Sequence, residues 1–386
     1  MLKVSLSAPV FDHKEKNSAI KAINNLRLSQ GVNVKKFEKI FSKFVGTKYG
    51  IATNSGSSAN LITLEALKEY FKLKNGDEVI LPAATFATVP MPVLQVGLKP
   101  VFVDVDPDDL NISVKEIERA ITKRTKIVMI VHTLGYPAKM REIKKICKKK
   151  KLILFEDCCE AHGASINRKI VGSFGEISAF SFFVAHNITT GEGGMVMTNN
   201  KKLEQILRSL REFGRIQMKS NKLSNRFYTK RKLKNYDKRY VFERPGYNMR
   251  MTDIVACFGV EQVKKLKYFN LLRNKNANYL IKKIKINKLD EFLKYYKTNK
   301  GEYHSYYTFP LKLKKPSTRL KLVKYLEQNG IETRPMMGGC LPDQPAFQKR
   351  KIKIIGSLKN SRDIRDNVFF IGIHPKLKKK TFRSYN

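Results

Sequence analysis

The sequence predicts an α/β protein with three layers, in which helices cover both faces of a mostly parallel sheet. Helical and strand patterns alternate from about residue 34 to residue 200, as in chains whose parallel strands are joined by helices. Two of the strand patterns, "KIVMIVH" and "LILFED", are apolar without alternation. Such runs are typical of strands that are buried on both faces.

The elements follow one another in a regular order. An amphipathic helix, "SANLITLEALKEYFKLK", precedes the short strands "DEVILP" and "KPVFVDV", and the helix "KEIERAITKRT" comes next. The strand "KIVMIVHT", the helix "KMREIKKICKKKK" and the strand "LILFED" complete the series. We assign these elements to a large domain at residues 1–264, with a basic, Asn-rich insertion at about 216–244.

The remaining residues predict a smaller domain. A long helical pattern, "MTDIVACFGVEQVKKLKYFNLLRNKNANYLIKKI", is followed by "HSYYTFPLKL", "TRLKLVKYLEQNGI" and "NVFFIGIHP". The last three segments read as strand, helix and strand. We therefore expect an α+β domain at residues 265–386.

Charge and hydropathy argue against a nucleic-acid-binding, membrane-spanning or secreted protein. The 386 residues carry a formal net charge of +43, but the lysines are spread along the chain and no nucleic-acid-binding motif accompanies them. We expect no nucleic acid partner, although a positive field would attract a phosphorylated small substrate. No segment is apolar enough to span a membrane or to serve as a signal peptide, so we expect a cytoplasmic protein.

The cysteines show no metal-binding or disulfide pattern. They are scattered, and neither a C-x-x-C pair nor a regular spacing is present. We expect reduced, mostly buried thiols and no metal site. The five positions are Cys147, Cys158, Cys159, Cys257 and Cys340.

One short motif predicts a phosphate-binding helix start. In "TNSGSSANL", small residues lead directly into a helix, so that backbone N–H groups with the hydroxyls of Ser57 and Ser58 can surround a phosphate beside Gly56. An ordinary helix cap would look the same. Ser181, in "SFFVAHNITTGEGG", can add a further hydroxyl, and the glycines there allow close approach of the backbone.

Two further motifs indicate a cationic heteroaromatic ligand. The strand "LILFED" ends in Glu156 and Asp157, at the edge where open α/β sheets bind ligands. A buried carboxylate there needs a cation, which a protonated pyridine nitrogen can supply or which a structural salt bridge can replace. Phe86, in "AATFATV", can stack on such a ring or can simply be a core residue.

In this order and over most of the chain, the motifs resemble the sugar aminotransferases that depend on pyridoxal 5′-phosphate (PLP), in the aspartate aminotransferase superfamily. The resemblance implies that Glu160 contacts the hydroxyl edge of the cofactor ring. It also implies an obligate homodimer with shared active sites, because Asn248, in "GYNMRMTDI", would reach the phosphate in the partner subunit's site.

The position of His186 in "HNITTGEGG" is lysine in those aminotransferases. Lysine bonds covalently to the cofactor aldehyde, whereas imidazole can only move protons. One branch of the family carries histidine there: the 3-dehydratases that deoxygenate nucleotide-linked 4-keto-6-deoxyhexoses in dideoxysugar biosynthesis for glycans such as lipopolysaccharide O-antigen. "SGSSANL", "VHTLGYP" and "IETRPMMGGCLPDQPAF" also match this branch.

Within this branch the chain resembles the type represented by GDP-4-keto-6-deoxymannose 3-dehydratase, which has no iron-sulfur cluster. The stretch after "REFGR", where the cluster type has cysteines, contains none. The resemblance implies PLP and pyridoxamine 5′-phosphate (PMP) as cofactor forms, glutamate as amino donor, and a nucleotide sugar, GDP-linked by preference, as substrate.

Roles for other polar residues are less specific. Arg250 and Arg334 are candidates for binding a substrate carboxylate or diphosphate, and surface salt bridges are the alternative. His132, His162, His304 and His374 are expected to be structural, with His162 closest to the cofactor motif.

Three other functions fit parts of the sequence. The local motif "NITTGEGG" is also that of true aminotransferases, so a sugar aminotransferase that has lost its lysine would look similar. A catalytically silent binding homologue is a second alternative. A cluster-containing dehydratase is the third, which the missing cysteines oppose.

Overall fold

The computed structural model describes residues 4–26, 28–216, 233, 236–315 and 318–377. Most of the predicted basic insertion at 216–244 lies outside the described residues. In the described part of the chain, none of the helices combines the length and the apolar character needed to cross a membrane.

The described strands form three sheets. The eight-stranded sheet has the order β1-β9-β8-β5-β4-β2-β3-β14, a four-stranded sheet has the order β10-β12-β15-β13, and three short strands pair in the order β11-β6-β7. The strands are β1 (Tyr49–Thr53), β2 (Glu78–Pro82), β3 (Lys99–Val103), β4 (Thr125–Val131), β5 (Ile153–Asp157), β6 (Ser165–Ile166), β7 (Lys169–Ile170), β8 (Ile177–Ser181), β9 (Gly194–Thr198), β10 (Leu293–Tyr295), β11 (Glu302–Tyr303), β12 (Phe309–Leu313), β13 (Thr333–Pro335), β14 (Lys353–Ile354) and β15 (Val368–Ile371).

The described helices alternate with the strands of the large sheet, as the sequence predicts. They are α1 (His13–Asn24), α2 (Val32–Val45), α3 (Gly56–Tyr70), α4 (Pro90–Gln95), α5 (Val114–Ala120), α6 (Met140–Lys150), α7 (Lys201–Arg211), α8 (Asp253–Ile286), α9 (Arg319–Gln328), α10 (Pro345–Gln348) and α11 (Lys359–Asn367).

The large sheet confirms the predicted fold class. Its neighbouring strands from β14 to β8 are parallel, whereas β9 runs antiparallel to both β8 and β1. Successive side chains of β2 enter different cores: Val79 and Leu81 belong to one apolar cluster and Ile80 belongs to another. This double burial explains why the strand sequences are apolar without alternation.

The long helix α8 joins the large domain to the four-stranded sheet. Its N-terminal half packs against α1 and α2, and Ala277 and Ile284 in its C-terminal half pack with Phe309 and Phe369 of the small sheet. The predicted boundary between residues 264 and 265 falls inside this helix. Because β14 also returns to the large sheet, residues 265–386 are not confined to the small one. The division into two domains stays a prediction.

The end of β5 fixes the edge of the sheet at which the site forms. The carboxylate of Glu156 accepts hydrogen bonds from the backbone N–H groups of Gly172, Phe174 and Gly175 at 2.7–2.8 Å, and His132 Nε2 lies 3.1 Å away. These contacts anchor the loop that precedes β8. Glu156 is therefore a structural residue, and Asp157, which follows it in the strand, is available for a ligand.

Candidate active site

A cavity of about 320 Å³ lies at the carboxyl ends of the central strands. Seven of the residues that the sequence singles out line it: Gly56, Ser57, Phe86, Asp157, Glu160, Ser181 and His186. They come from the start of α3, the segments after β2 and β5, and the end of β8 with the turn that follows. The parallel topology thus brings together residues that are far apart in the sequence.

The start of α3 forms one wall of this cavity. Ser55 caps the helix, because its side chain accepts a hydrogen bond from the backbone N–H of Ser58 at 3.1 Å. A Cβ atom at Gly56 would lie 2.5 Å from Ser181 Cβ, so only glycine fits at this point. The helix start and Ser181 therefore pack closely and line the cavity together, and backbone N–H groups at a helix start are suited to binding a phosphate.

Asp157 places a buried carboxylate at the cavity. The residue is 3% exposed, and its carboxylate accepts hydrogen bonds from Asn60 Nδ2 at 2.8 Å and from the backbone N–H of Cys159 at 3.0 Å. Within the described residues it has no ion-pair partner. A cationic ligand would offset the desolvation of this carboxylate.

Phe86 is the aromatic residue at the rim of the cavity. It follows β2 and is 53% exposed, although phenylalanine is usually buried. An exposed ring beside a cavity is suited to stacking on a flat heteroaromatic ligand. The alternative of a core phenylalanine does not agree with this exposure.

His186 faces the cavity as an uncharged base. Its Nδ1 atom is buried and has no hydrogen-bond partner among the described residues. Burial of the ring, with a smaller effect of the nearby Arg273 guanidinium, lowers the pKa of His186 to about 3. The imidazole is therefore neutral near pH 7 and able to accept a proton.

The pKa of Glu160 is shifted upward, in contrast to that of His186. Its Oε2 atom accepts a hydrogen bond from the backbone N–H of Leu134 at 2.7 Å. Burial, reinforced by the nearby Asp157, raises the pKa of Glu160 to about 8 even though this hydrogen bond acts in the other direction. A carboxyl group in this state keeps its proton at neutral pH and can donate a hydrogen bond.

Four of the predicted binding residues do not line the cavity. The Ser58 hydroxyl accepts a hydrogen bond from Ser55 Oγ at 3.0 Å, and Arg250 Nε donates to Asn248 Oδ1 at 3.2 Å. Arg334 pairs with Glu332 at 2.7 Å, as in the surface salt bridge that the sequence leaves open. Their predicted contacts with cofactor or substrate stay predictions.

Several residues that line the cavity or support its lining carry no clear signal in the sequence. Asn60 lies one helical turn after Gly56, so its spacing in "SGSSANL" was an available clue to its contact with Asp157. Tyr307 reaches the cavity from the segment before β12, and nothing in "HSYYTFP" distinguishes it from a core tyrosine. Other lining residues without a clear signal are Thr85, Thr88, Cys159, Phe183 and Glu192, whereas Met337 belongs to the loop "MMGGC", which is a sequence candidate for substrate binding.

The cavity fits a pyridoxal phosphate on its chemistry and shape. It offers a helix start for a phosphate, a carboxylate that has no cationic partner among the described residues for a protonated ring nitrogen, and an exposed phenyl ring for stacking. The volume lies within the usual range for small-molecule sites. No lysine is present among the described residues that line it.

Residues 9–384 match the sequence model of the DegT/DnrJ/EryC1/StrS aminotransferase family. The chain belongs to this family. The membership confirms the predicted relationship to the sugar aminotransferases.

Two named relatives indicate which members of the family the chain resembles. The chain is 38% identical to the lipopolysaccharide biosynthesis protein RfbH of Salmonella typhimurium, over 96% of this chain and 87% of the relative. It is 34% identical to GDP-4-keto-6-deoxy-D-mannose 3-dehydratase of Yersinia pseudotuberculosis, over 97% of this chain and 95% of the relative. The predicted resemblance to the 3-dehydratases is thereby confirmed.

A solved structure gives the same result for the fold. The Escherichia coli GDP-4-keto-6-deoxy-D-mannose 3-dehydratase with bound hydrated PLP superposes with a TM-score of 0.89 at 33% identity, covering 97% of this chain and 96% of that one. The family fold and the arrangement of elements described above therefore agree over nearly the whole chain.

Replacement of Glu160 by glutamine tests its protonation in the cofactor-free protein. Because the carboxyl pKa is about 4.3 in an unfolded chain and about 8 in the folded one, the folded state holds the extra proton between these values. We expect the wild type to lose stability relative to Glu160→Gln as pH rises from 5 to 8, by on the order of 3 kcal/mol.

The measurement is urea unfolding of both proteins across this pH range. Glutamine keeps a carbonyl oxygen for the Leu134 N–H but cannot titrate, so the difference between the two proteins isolates this one group. Parallel pH profiles would contradict the assignment of a protonated Glu160.

Proposed function

We propose that the protein is a PLP-dependent 3-dehydratase, which removes the C3 hydroxyl of a nucleotide-linked 4-keto-6-deoxyhexose and uses glutamate as amino donor. The observation that carries this proposal is His186, a neutral base in a cavity that has no lysine among its described lining residues. The names of the full-length relatives support the same reaction, and those that act on GDP-sugars favour a GDP-linked substrate.

The residues around the cavity have separate tasks in binding. Gly56, Ser57 and Ser181 would hold the phosphate, Phe86 would stack on the ring, and Asp157 would pair with the protonated ring nitrogen. When bound, the cofactor supplies an exchangeable amino group and an electron sink. The hydrogen bonds from Asn60 and Cys159 keep the Asp157 carboxylate oriented for this contact.

His186 would transfer protons in both halves of the reaction. Its low pKa keeps the imidazole unprotonated until a C–H proton is presented to it. Since imidazole cannot form the covalent bond to the cofactor aldehyde that lysine forms, water would release the sugar with its C4 nitrogen from the cofactor. Hydrolysis then releases ammonia, and the product is a deoxy sugar instead of an amino sugar.

We further propose a homodimer in which each subunit completes the site of the other. Asn248 does not line the cavity of its own chain, although it lies close to the start of α3: Asn54 N–H donates to Met249 O at 3.0 Å. The exposed apolar side chains of Phe183, which lines the cavity, and of the adjacent Val184 are suited to burial against a second subunit.

The cytoplasm is the proposed site of action. All five cysteines are unpaired, which is usual for proteins of a reducing compartment.

The reaction is tested by absorbance spectroscopy followed by product assay. The protein with PLP is expected to convert to the pyridoxamine form when glutamate is added, and then to release ammonia and a 3-deoxy sugar from GDP-4-keto-6-deoxymannose. His186→Asn should slow both steps by about 10³-fold while the cofactor still binds, because a general base contributes roughly 10²–10⁴-fold. The same assay with dTDP- and CDP-linked sugars identifies the nucleotide.

Two outcomes would contradict this proposal. An amino sugar formed without ammonia would identify the aminotransferase-derived alternative. Cofactor binding without conversion by glutamate in the wild type would indicate the silent binding homologue.

Shared active sites are tested by mixing two inactive variants. In a mixed dimer, the Asn248→Ala subunit keeps His186 and the His186→Asn subunit keeps Asn248. If Asn248 reaches across the interface, one of the two sites therefore contains both native residues and the other contains neither. If Asn248 acts across the interface, refolded equimolar mixtures should recover about a quarter of the wild-type rate, since half of the dimers are mixed and each has one intact site. A rate equal to the mean of the two separate variants would place Asn248 in the site of its own chain.

A further inference from the structure

The segment 304–307 projects one tyrosine into the cavity from a strained backbone. Tyr306 has φ 45°, in the left-handed region that is unfavourable for a large side chain. Such a conformation is unfavourable and persists only where the surroundings enforce it. Strained backbone conformations of this kind commonly occur at functional sites.

The backbone of this segment is held along its whole length. Its N–H groups donate to Gly135 O, His304 Nδ1 and Leu134 O at 2.8–3.2 Å. All four carbonyl groups accept hydrogen bonds from buried or partly buried side chains. The carbonyl contacts are His304 O with Asn274 Nδ2 at 2.9 Å, Ser305 O with Asn187 Nδ2 at 2.7 Å, and Tyr306 O and Tyr307 O with Arg273 Nη1 at 3.0 and 2.9 Å.

These hydrogen bonds fix the position of Tyr307. Its ring lies beside His186, with centroids 5.2 Å apart, and lines the cavity together with Glu160. The backbone of Leu134 connects Tyr307 and Glu160: its carbonyl accepts a hydrogen bond from the Tyr307 N–H at 3.1 Å, and its N–H donates to the Glu160 carboxyl group. Within the described residues, the Tyr307 hydroxyl has no hydrogen-bond partner, so it is available to a ligand.

Loss of the C3 hydroxyl requires an acid. Hydroxide is a poor leaving group, and a positioned proton donor accelerates its departure. His186 starts this half-reaction as a neutral base, because burial lowers its pKa, and its part is to accept the C–H proton. Burial, with a further contribution from Glu160, raises the pKa of Tyr307, so the phenol keeps its proton at neutral pH.

We propose that Tyr307 is a catalytic residue that donates its phenolic proton to the departing C3 hydroxyl of the sugar. The C3–O bond breaks with both electrons on oxygen, the oxygen takes the phenolic proton, and water leaves. The proton that His186 has accepted in the same half-reaction then restores the phenol. This inference rests on the proposed dehydration and adds to it the acid that the reaction needs.

Replacement of Tyr307 by phenylalanine removes the proton but keeps the ring in place. We expect dehydration to slow by roughly 10²-fold or more, whereas conversion of PLP to the pyridoxamine form by glutamate stays within about threefold of wild type. Titration of the pyridoxamine form with the nucleotide sugar, followed calorimetrically, should still show binding. These readouts separate an acid from a residue that only supports the fold.

A substrate analogue with fluorine in place of the C3 hydroxyl provides the sharper comparison. Fluoride leaves without protonation, so Tyr307→Phe should eliminate fluoride at close to the wild-type rate. Tyr303→Phe is the matched control, because this hydroxyl belongs to the exposed side of β11 and does not line the cavity. It should leave every step unchanged.

Three outcomes would overturn the assignment of Tyr307. They are an unimpaired Tyr307→Phe, an equal loss with the hydroxyl and fluoro substrates, and a parallel loss of the glutamate half-reaction. If the wild type itself forms no 3-deoxy product, the proposed function and this inference both fail. An unimpaired variant beside an active wild type refutes only the role of Tyr307.

Discussion

The buried carboxylate of Asp157 is the constraint on which the site depends. It is held at the end of β5 by an amide and a backbone N–H, yet the described residues offer it no cation. Removing a charge from water in this way costs several kcal/mol unless a ligand compensates. We propose that a protonated pyridine ring provides this compensation, with its phosphate at the start of α3 beside Gly56 and its ring against Phe86.

The neighbouring Glu156 shows how the fold supports this arrangement. The two carboxylates are adjacent in sequence, but side chains alternate along a strand, so they serve opposite sides of β5. Glu156 accepts hydrogen bonds from the loop before β8 and thereby positions the strand that ends in Ser181. Both carboxylate oxygens of Glu156 are engaged in these contacts, and His132 Nδ1 accepts a hydrogen bond from the Ala138 N–H. Neither side chain therefore has much capacity left to bind a metal ion.

The sequence predicts the fold and much of the cavity, because both follow from local patterns. Apolar strand runs and the small residues before α3 identify the sheet and one wall of the site. Tyr307 depends instead on the positive φ of Tyr306 and on hydrogen bonds from Arg273, which is distant in sequence. The different roles of Glu156 and Asp157 depend on the alternation of side chains along β5, and the proposed role of Asn248 depends on a second chain. Such long-range effects leave no periodic signal.

The proposed chemistry follows from a cavity whose described lining residues include a histidine and no lysine. We propose that the neutral imidazole of His186 takes the place of a primary amine, so that protons still move but the cofactor has no covalent bond to the chain. The most direct measurement is the intact mass of the PLP-loaded protein after borohydride reduction and denaturation. We predict the mass of the unmodified chain. A mass increased by one reduced cofactor, carried on a lysine, would contradict the central claim.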